Sequence, residues 1–324
     1  MMKSFFLALA VLVAAATASL EELHTTQFQA FKAEHGKSYQ NQVEETARYN
    51  IFLNNVREIE EHNARYEQGL ETYTKAINQF SDWTQEEFKS YLTLHAKPAA
   101  PENTTEYIKT GVEVPSSIDW RTQGYVTGVK NQGQCGSCWA FSVTGAMEGA
   151  YFKKSGNLVS FSEQQLVDCT TSFNYGCDGG WMELVYPYIA EYGIETESAY
   201  PYTAKDGSCK YDASKIVTKI SSYRNTHDEA ALLEAVGTLG PVSVSMDASY
   251  ISSYSSGIFS STKCDITNLN HGVLVVGYGS ENGVDYWIIK NSWGSSWGDN
   301  GYLKLRRGTN ECGVSEDDSY PLIN

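Results

Sequence analysis

Gln132-Gly133-Gln134-Cys135-Gly136-Ser137-Cys138-Trp139 opens the strongest helical pattern of the chain, which runs from about Ser137 to Lys154. Lys153 and Lys154 fall in its last turn and Gly156 lies just beyond, which is sound chemistry for a helix C-terminus. A cysteine at the head of a helix feels the positive end of the macrodipole, which favours its thiolate. A thiolate is a nucleophile, and covalent chemistry then needs a partner that carries the proton. Of the six histidines, His24, His35, His62 and His95 precede this segment. His227 lies in the polar run Asn225-Thr226-His227-Asp228-Glu229 and reads as solvated. His271 borders an apolar strand.

Glu281-Asn282-Gly283 reads as a hairpin turn between strands near Val273–Val276 and Tyr286–Ile289. His271 and Asn291 are equidistant from Glu281, so the hairpin brings them within a rung or two. Taken singly, Cys138 reads better as a structural cysteine and His271 better as a core histidine. Cys135-x-x-Cys138 also resembles half of a zinc or redox site, but no second CxxC or nearby histidine completes it, and no metal or cofactor is expected. Together, nucleophile, base and orienting amide make the set used in acyl transfer.

Composition narrows the field. The chain has 324 residues with 24 Lys+Arg against 39 Asp+Glu, a net charge of −15. That balance excludes a phosphate-binding surface and attachment to anionic lipid, so neither nucleic acid nor membrane is an expected partner. Hydrophobic residues at 41% and aromatics at 13% belong to a folded chain. Met1-Met2-Lys3, the apolar run Phe5 to Ala16 and Ala16-Thr17-Ala18 read as a secretory signal peptide, residues 1–18. The alternative, a membrane span, needs ~20 apolar residues. Passage through the secretory pathway allows cysteines to pair.

The seven cysteines all lie between Cys135 and Cys312, which divides the chain into two regimes. The cysteine-free one carries a helix from Glu44 to Tyr66, with Ala47, Ile51, Phe52, Val56 and Ile59 on one face. A shorter helix is expected over Leu23–Ala33. The small, polar, Pro-containing stretch Ala96 to Thr105 reads as a linker with a glycosylation sequon at Asn103. The second regime begins near Val114-Pro115 and turns strand-rich over Pro241–Met246, Val273–Val276, Tyr286–Ile289 and Tyr302–Leu305. Ser249–Thr262, rich in Ser and Tyr, reads as an exposed loop.

On the motif Cys135-Gly136-Ser137-Cys138-Trp139, with His271 and Asn291 following Cys138 by 133 and 153 residues, the chain resembles the papain-like cysteine proteases, specifically the cathepsin L-like proenzymes. Glu44, Arg48, Phe52, Asn55, Ile59 and Asn63 match the family's propeptide pattern. Asn78-Gln79-Phe80-Ser81-Asp82 matches a second propeptide motif, with Ala76 where many members have Gly. The resemblance implies an α+β, two-domain papain-like fold. A helical domain would carry Cys138 and a β-barrel-like domain His271 and Asn291. The inhibitory propeptide would be residues 19–113, its tail crossing the cleft in the non-cleavable direction, and the mature peptidase residues 114–324. Gln132 would complete the oxyanion hole with the Cys138 amide, and Trp293 of Asn291-Ser292-Trp293-Gly294 would shield the His271–Asn291 bond.

The family's disulfides would be Cys135–Cys177, Cys169–Cys209 and Cys264–Cys312, leaving Cys138 free. Gly179 and Gly180 match the glycine wall that pairs with substrate. Trp181, Met182, Ala248 and Leu269 match the S2 pocket, with Asp317 at its far end, where an acid would admit basic P2 residues. Asn270 matches a primed-side position. The absence of an insertion after Gly180 suits an endopeptidase. The implied partners are peptide or protein substrates, the chain's own propeptide and inhibitors of cystatin type, with the enzyme a monomer in the lysosome or in an extracellular, digestive lumen. A catalytically silent relative acting in storage or binding is the alternative, and an acyl-transferring ligase a further one. Residues 19–113 carry a charge of −7, so acid would protonate carboxylates that tie them to the mature part.

Overall fold

The computed structural model describes residues 22–94 and 105–323, so the expected signal peptide and the sequon at Asn103 lie outside them. The first helix, α1, covers residues 22–34. The second, α2 (Gln42–Glu67), starts where the Asn41 side chain accepts from the amides of Val43 and Glu44, an N-cap. Phe28 and Phe31 of α1 close over Phe52 and Val56 of α2 in a small core.

The polar positions of the propeptide pattern reach from α2 to the segment that follows it. Arg48 grips Glu87 with two hydrogen bonds, at 2.7 and 2.8 Å, and donates a third to the Asp82 carbonyl. Asn55 donates to the carbonyls of Ser81 and Trp83. Asn63 both donates to and accepts from the backbone of Lys75. These contacts hold β1 (Tyr73–Lys75) and α3 (Gln85–Tyr91) against α2; α3 begins with a Thr84–Glu87 capping box.

β2 (Thr105–Glu106) and β3 (Ile118–Asp119) lead to α4 (Cys138–Ser155). Helix α4 is buried from Cys138 to Gly149 apart from Phe141, and Gly156, left-handed at φ 73°, ends it. It is the hinge of the molecule's packing: Trp139, Val143 and Met147 enter the helical core, while Ala146 packs on Leu274 and Val276 of the sheet. α5 (Glu163–Cys169), α6 (Tyr186–Glu191) and the pair β4 (Ile194–Glu195) and β5 (Ile216–Thr218) complete the helical half.

The other half is built from β6 (Ser222–Thr226), α7 (Glu229–Thr238), β7 (Val242–Met246), β8 (Tyr254–Phe259), β9 (His271–Glu281), β10 (Val284–Lys290), β11 (Tyr302–Arg306) and β12 (Asp318–Leu322). The sheet order is β1-β8-β11-β10-β9-β7-β12-β6-β2, with β3 also paired to β9. Both ends of this order come from the part of the chain that precedes α4, so β1 covers one edge of the sheet at β8 and β2 the other at β6.

The β9–β10 hairpin turns at Asn282 and Gly283, both at positive φ, and pairs Glu281 with Val284. A register shift at Ile288/Ile289 sets Lys290 opposite Leu274, so Asn291 reaches His271 on a diagonal and not straight across. The Ser/Tyr-rich stretch departs from the loop reading. Ile251, Tyr254 and Phe259 are buried core residues, and Tyr254–Phe259 is β8, which pairs with β1 of the propeptide. Composition concealed the strand because its serines face outward or toward the propeptide: Ser256 bonds Thr74 through its hydroxyl. Gly257 allows the approach, since a side chain there would press on the Thr72 carbonyl.

Candidate active site

Two of the disulfides stiffen the helical half: Cys135–Cys177 and Cys169–Cys209. Cys264–Cys312 pins the sheet half. Among the described residues Cys138 carries the free thiol. The loop ahead of it is pinned three ways: by the Cys135 bridge, by the Gly136 amide donating to the Cys177 carbonyl, and by the Ser137 hydroxyl paired with that of Tyr202.

His271 opens β9. Its Nε2 lies 2.8 Å from Asn291 Oδ1, so Nε2 holds the proton and donates. That oxygen also accepts from the Ser292 amide at 2.8 Å, which fixes which way the Asn291 amide faces. Trp293 stacks on the imidazole at 4.6 Å and 28°, and Trp297 backs Trp293 edge-on at 4.9 Å. Gly272, the next residue, lets β9 touch the head of α4: a Cβ there would sit 3.3 Å from the Cys138 carbonyl and 3.1 Å from Met182 Sδ. Gln132 ties the two halves together. Its amide and its Oε1 engage Ser292, at 2.8 and 2.6 Å, while its Nε2 donates to the Cys135 carbonyl at 2.9 Å.

The helix-dipole expectation of a thiolate does not hold in this state. Burial pushes the Cys138 thiol up to about 11. Burial also pushes His271 down to about 4, against the smaller opposing effect of the Asn291 bond. Both groups are therefore neutral, because desolvation outweighs the fraction of a unit charge at a helix terminus.

The propeptide supplies the cover. Gln79 donates to the Trp293 carbonyl at 2.7 Å, and Phe80 and Phe88 meet the Trp293 ring edge-on. Tyr91 donates to the Gly133 carbonyl and Thr93 to that of Gly136, at 2.8 and 3.1 Å. The Leu94 amide then donates to the Asn270 carbonyl at 3.2 Å. Residues 91–94 thus bridge the Cys138 side and the His271 side.

Trp181, Met182 and Leu269 share one apolar cluster with Cys138 and with Leu94. Ala248 belongs to the sheet core instead. Gly179 and Gly180 follow Cys177, with Gly180 backed onto Trp139. Asp317 is buried, its carbonyl bonded by the Ser245 amide. The Asn270 side chain is a brace: it accepts from the Ala248 amide and donates to Asp247 and to the Ser249 hydroxyl. His227 is exposed, as expected.

One group behind the site escaped the sequence reading. Lys130 bonds both Glu148 and Glu163, at 3.0 and 2.5 Å, and Lys290, adjacent to Asn291, donates to Thr127. Burial raises Glu163 to about 7, whereas Lys130 and Lys290 more than offset burial at Glu148 and hold it low. A glutamate in the apolar run Ala146-Met147-Glu148-Gly149-Ala150 was the available signal. Cys264, Glu311 and Cys312 converge as metal ligands could, but both sulfurs are spent in their disulfide.

Comparison with known proteins agrees with this geometry. Residues 114–322 match the papain family cysteine protease model, and residues 28–88 match the cathepsin propeptide inhibitor domain. The chain therefore belongs to the papain family of cysteine proteases, as a zymogen carrying its own inhibitor domain. It is 48% identical to digestive cysteine proteinase 3 of Homarus americanus, over 90% of this chain and 93% of that protein. It is 45% identical to cathepsin L1 of Drosophila melanogaster, over 98% of this chain and 89% of that protein. The structure of digestive procathepsin L 3 from Tenebrio molitor larval midgut superposes with a TM-score of 0.88 at 48% identity, covering 93% of this chain and 99% of that one. The enzyme is a cathepsin L-like cysteine-type endopeptidase with an α+β papain-like fold. Among the described residues no helix is long and apolar enough to cross a membrane.

Proposed function

We propose that Cys138 is the nucleophile, His271 its proton carrier, Asn291 the orienting amide and Gln132 an oxyanion donor. The observation that carries this is the His271–Asn291 bond under Trp293, on a strand whose next residue abuts the helix headed by the free thiol. With Nε2–H committed to Asn291, Nδ1 is the ring atom left to take the thiol proton. Once the propeptide has left and water re-enters, the thiolate–imidazolium pair forms. Cys138 Sγ adds to the peptide carbonyl, and the oxyanion is met by the Cys138 amide and Gln132 Nε2, freed from Cys135. His271 protonates the leaving amine, then activates the water that hydrolyses the thioester.

Residues 19–113 are the propeptide and 114–324 the mature enzyme, with residues 1–18 removed on secretion. Substrate lies along Gly179 and Gly180, its P2 side chain among Trp181, Met182 and Leu269, in whose cluster Leu94 now packs, with Ala248 closing the pocket from the sheet core. Asp317 at the end of that pocket would let basic P2 residues compete with apolar ones. Names such as digestive cysteine proteinase and procathepsin of larval midgut support a secreted digestive role, with the lysosome as the other acidic destination. Glycosylation at Asn103, inhibition by cystatin-type proteins and a monomeric state belong to the same reading.

Acidifying the purified chain with a thiol-directed epoxide tests it. Label on Cys138 and a fall to the mass of a chain starting near Val114 are expected. An unlabelled, unprocessed chain overturns the assignment. Turnover of P2 Arg against P2 Phe peptides by the wild type and Asp317→Ala tests the pocket; an unchanged preference removes Asp317 from it.

A further inference from the structure

The segment before the processing junction is exposed almost throughout, yet it is held to the mature domain by a specific device. β2 adds to the free edge of β6 in parallel, and the Tyr107 amide continues the pairing onto the Asn225 carbonyl at 2.8 Å. Glu234, on α7, then receives four hydrogen bonds from this strap. Its Oε1 accepts from the Tyr107 hydroxyl at 2.6 Å, the Thr110 amide at 2.7 Å and the Thr110 hydroxyl at 2.7 Å. Its Oε2 accepts from the Gly111 amide at 3.1 Å. One helical turn on, Val114 lies against Gly237, where a Cβ would come within 2.9 Å of it. Residues 111–114 are therefore strung along α7 between two anchors.

A papain-type cleft takes its substrate as an extended strand, so a bond held flat on a helix must first be lifted away. We propose that Glu234 is a latch that withholds the propeptide–mature junction from proteolysis, making release of the inhibitory cap and cutting of the junction separate events. The inference rests on the reading that the chain is processed near Val114. The chemistry withheld is ordinary hydrolysis: water adds across one peptide bond to leave a carboxylate and an amine.

The charged and titratable groups around the latch are Tyr107 and Lys109 on the strap, Asp228 at the start of α7, Arg224 on β6 and Tyr320 on β12. Lys109 pairs with Asp228 at 3.0 Å, and Tyr320 meets the Tyr107 ring at 6.0 Å. The Tyr107 hydroxyl bond, with those of Thr110 and Gly111, draws the Glu234 carboxyl from its ordinary 4.5 down to about 2. A lowered value means the latch is fully formed above pH 4.5 and is lost as pH falls toward 2. It stays shut in mild acid.

The test uses the full chain with Cys138→Ala, which cannot process itself. Hydrogen exchange at the amides of Thr110 and Gly111 is measured at pH 5 to 6, and cuts between 107 and 114 by added papain are followed by intact mass. Adding Glu234→Gln should speed both exchange and cutting roughly tenfold or more, the scale of losing charge-assisted hydrogen bonds. Thr110→Val, which lies on the strap and leaves the mature domain untouched, should speed Gly111 exchange and cutting in the same direction. Unchanged rates in both variants overturn the latch. Mapping the natural cut in the acidified wild type checks the underlying reading separately: a cut far from Val114 removes the latch from processing even where exchange protection is lost.

Discussion

Phe80 of the propeptide stands edge-on to Trp293, the ring that covers His271, with centroids 5.2 Å apart at 78°. One aromatic thus meets the His271 imidazole and the inhibitor domain's Phe80 at once. Phe80 is buried in the core of the sheet half together with Phe88, Leu92 and Trp293, so the inhibitor shares the enzyme's own core. Phe80→Ala should cost ~3–5 kcal/mol of docking, the scale of emptying a buried aromatic site. Its expected result is a zymogen that processes faster and at higher pH than wild type, read by active-site titration against time. Processing at the wild-type rate would show the ring contact to be dispensable.

Reaction of Cys138 with iodoacetamide should separate the two states. In the intact zymogen the thiol is held up to about 11 and His271 down to about 4, both by burial. Alkylation should therefore be slow below pH 9 and show no acid limb. After propeptide removal an acid limb should appear, because the ion pair then forms in a wetted cleft. A zymogen that alkylates in acid like the mature enzyme would contradict the buried, neutral pair.

His62 on α2 points to an acid response of the cap. Burial lowers its pKa from 6.5, in a setting of Glu58, Arg65, Glu71 and Lys75, while its Nε2 donates to the Tyr73 carbonyl at 2.9 Å. The neutral ring is the one the fold accepts. The unfolded cap therefore binds more protons below pH 6.5, and His62 removes stability as pH falls from 6.5 toward its lowered value. His62→Gln keeps a donor for Tyr73 and should flatten the melting temperature of the Cys138→Ala zymogen across that range. An unchanged slope would assign the acid response elsewhere, the Arg48–Glu87 pair being the next choice.

Asn291→Ala should lower kcat roughly a hundredfold with little change in KM, because the imidazole loses its orientation while the substrate subsites remain. A fall confined to KM would place Asn291 in binding.

Lys130→Met should destabilise the mature enzyme by ~3–5 kcal/mol, since it strands Glu148 and Glu163 in a buried site. Denaturant unfolding of the inhibited enzyme measures it. Glu163→Gln should cost far less, because burial already raises Glu163 to about 7.

Much of this was legible locally. The α2 helix, the Gly156 stop of α4 and the Asn282-Gly283 turn follow from periodicity, C-terminal capping and turn chemistry, which act over a few residues. The motif around Cys138 and its distances to His271 and Asn291 named the family before any fold was in view. Three features were not legible, each for a physical reason. The Ser/Tyr-rich stretch became β8 because its partner strand, Tyr73–Lys75, lies far away along the chain. The Lys130–Glu148–Glu163 network needed three separate segments to meet in one buried place. The charge state of the Cys138–His271 pair was not legible because the helix dipole is a local property, whereas the burial that opposes it at both groups depends on segments brought together by the fold. By itself the sequence determined which groups the enzyme carries and what chemistry they can do; the tertiary structure alone decided that, in this state, they are uncharged and covered, because burial depends on distant chain and not on neighbours.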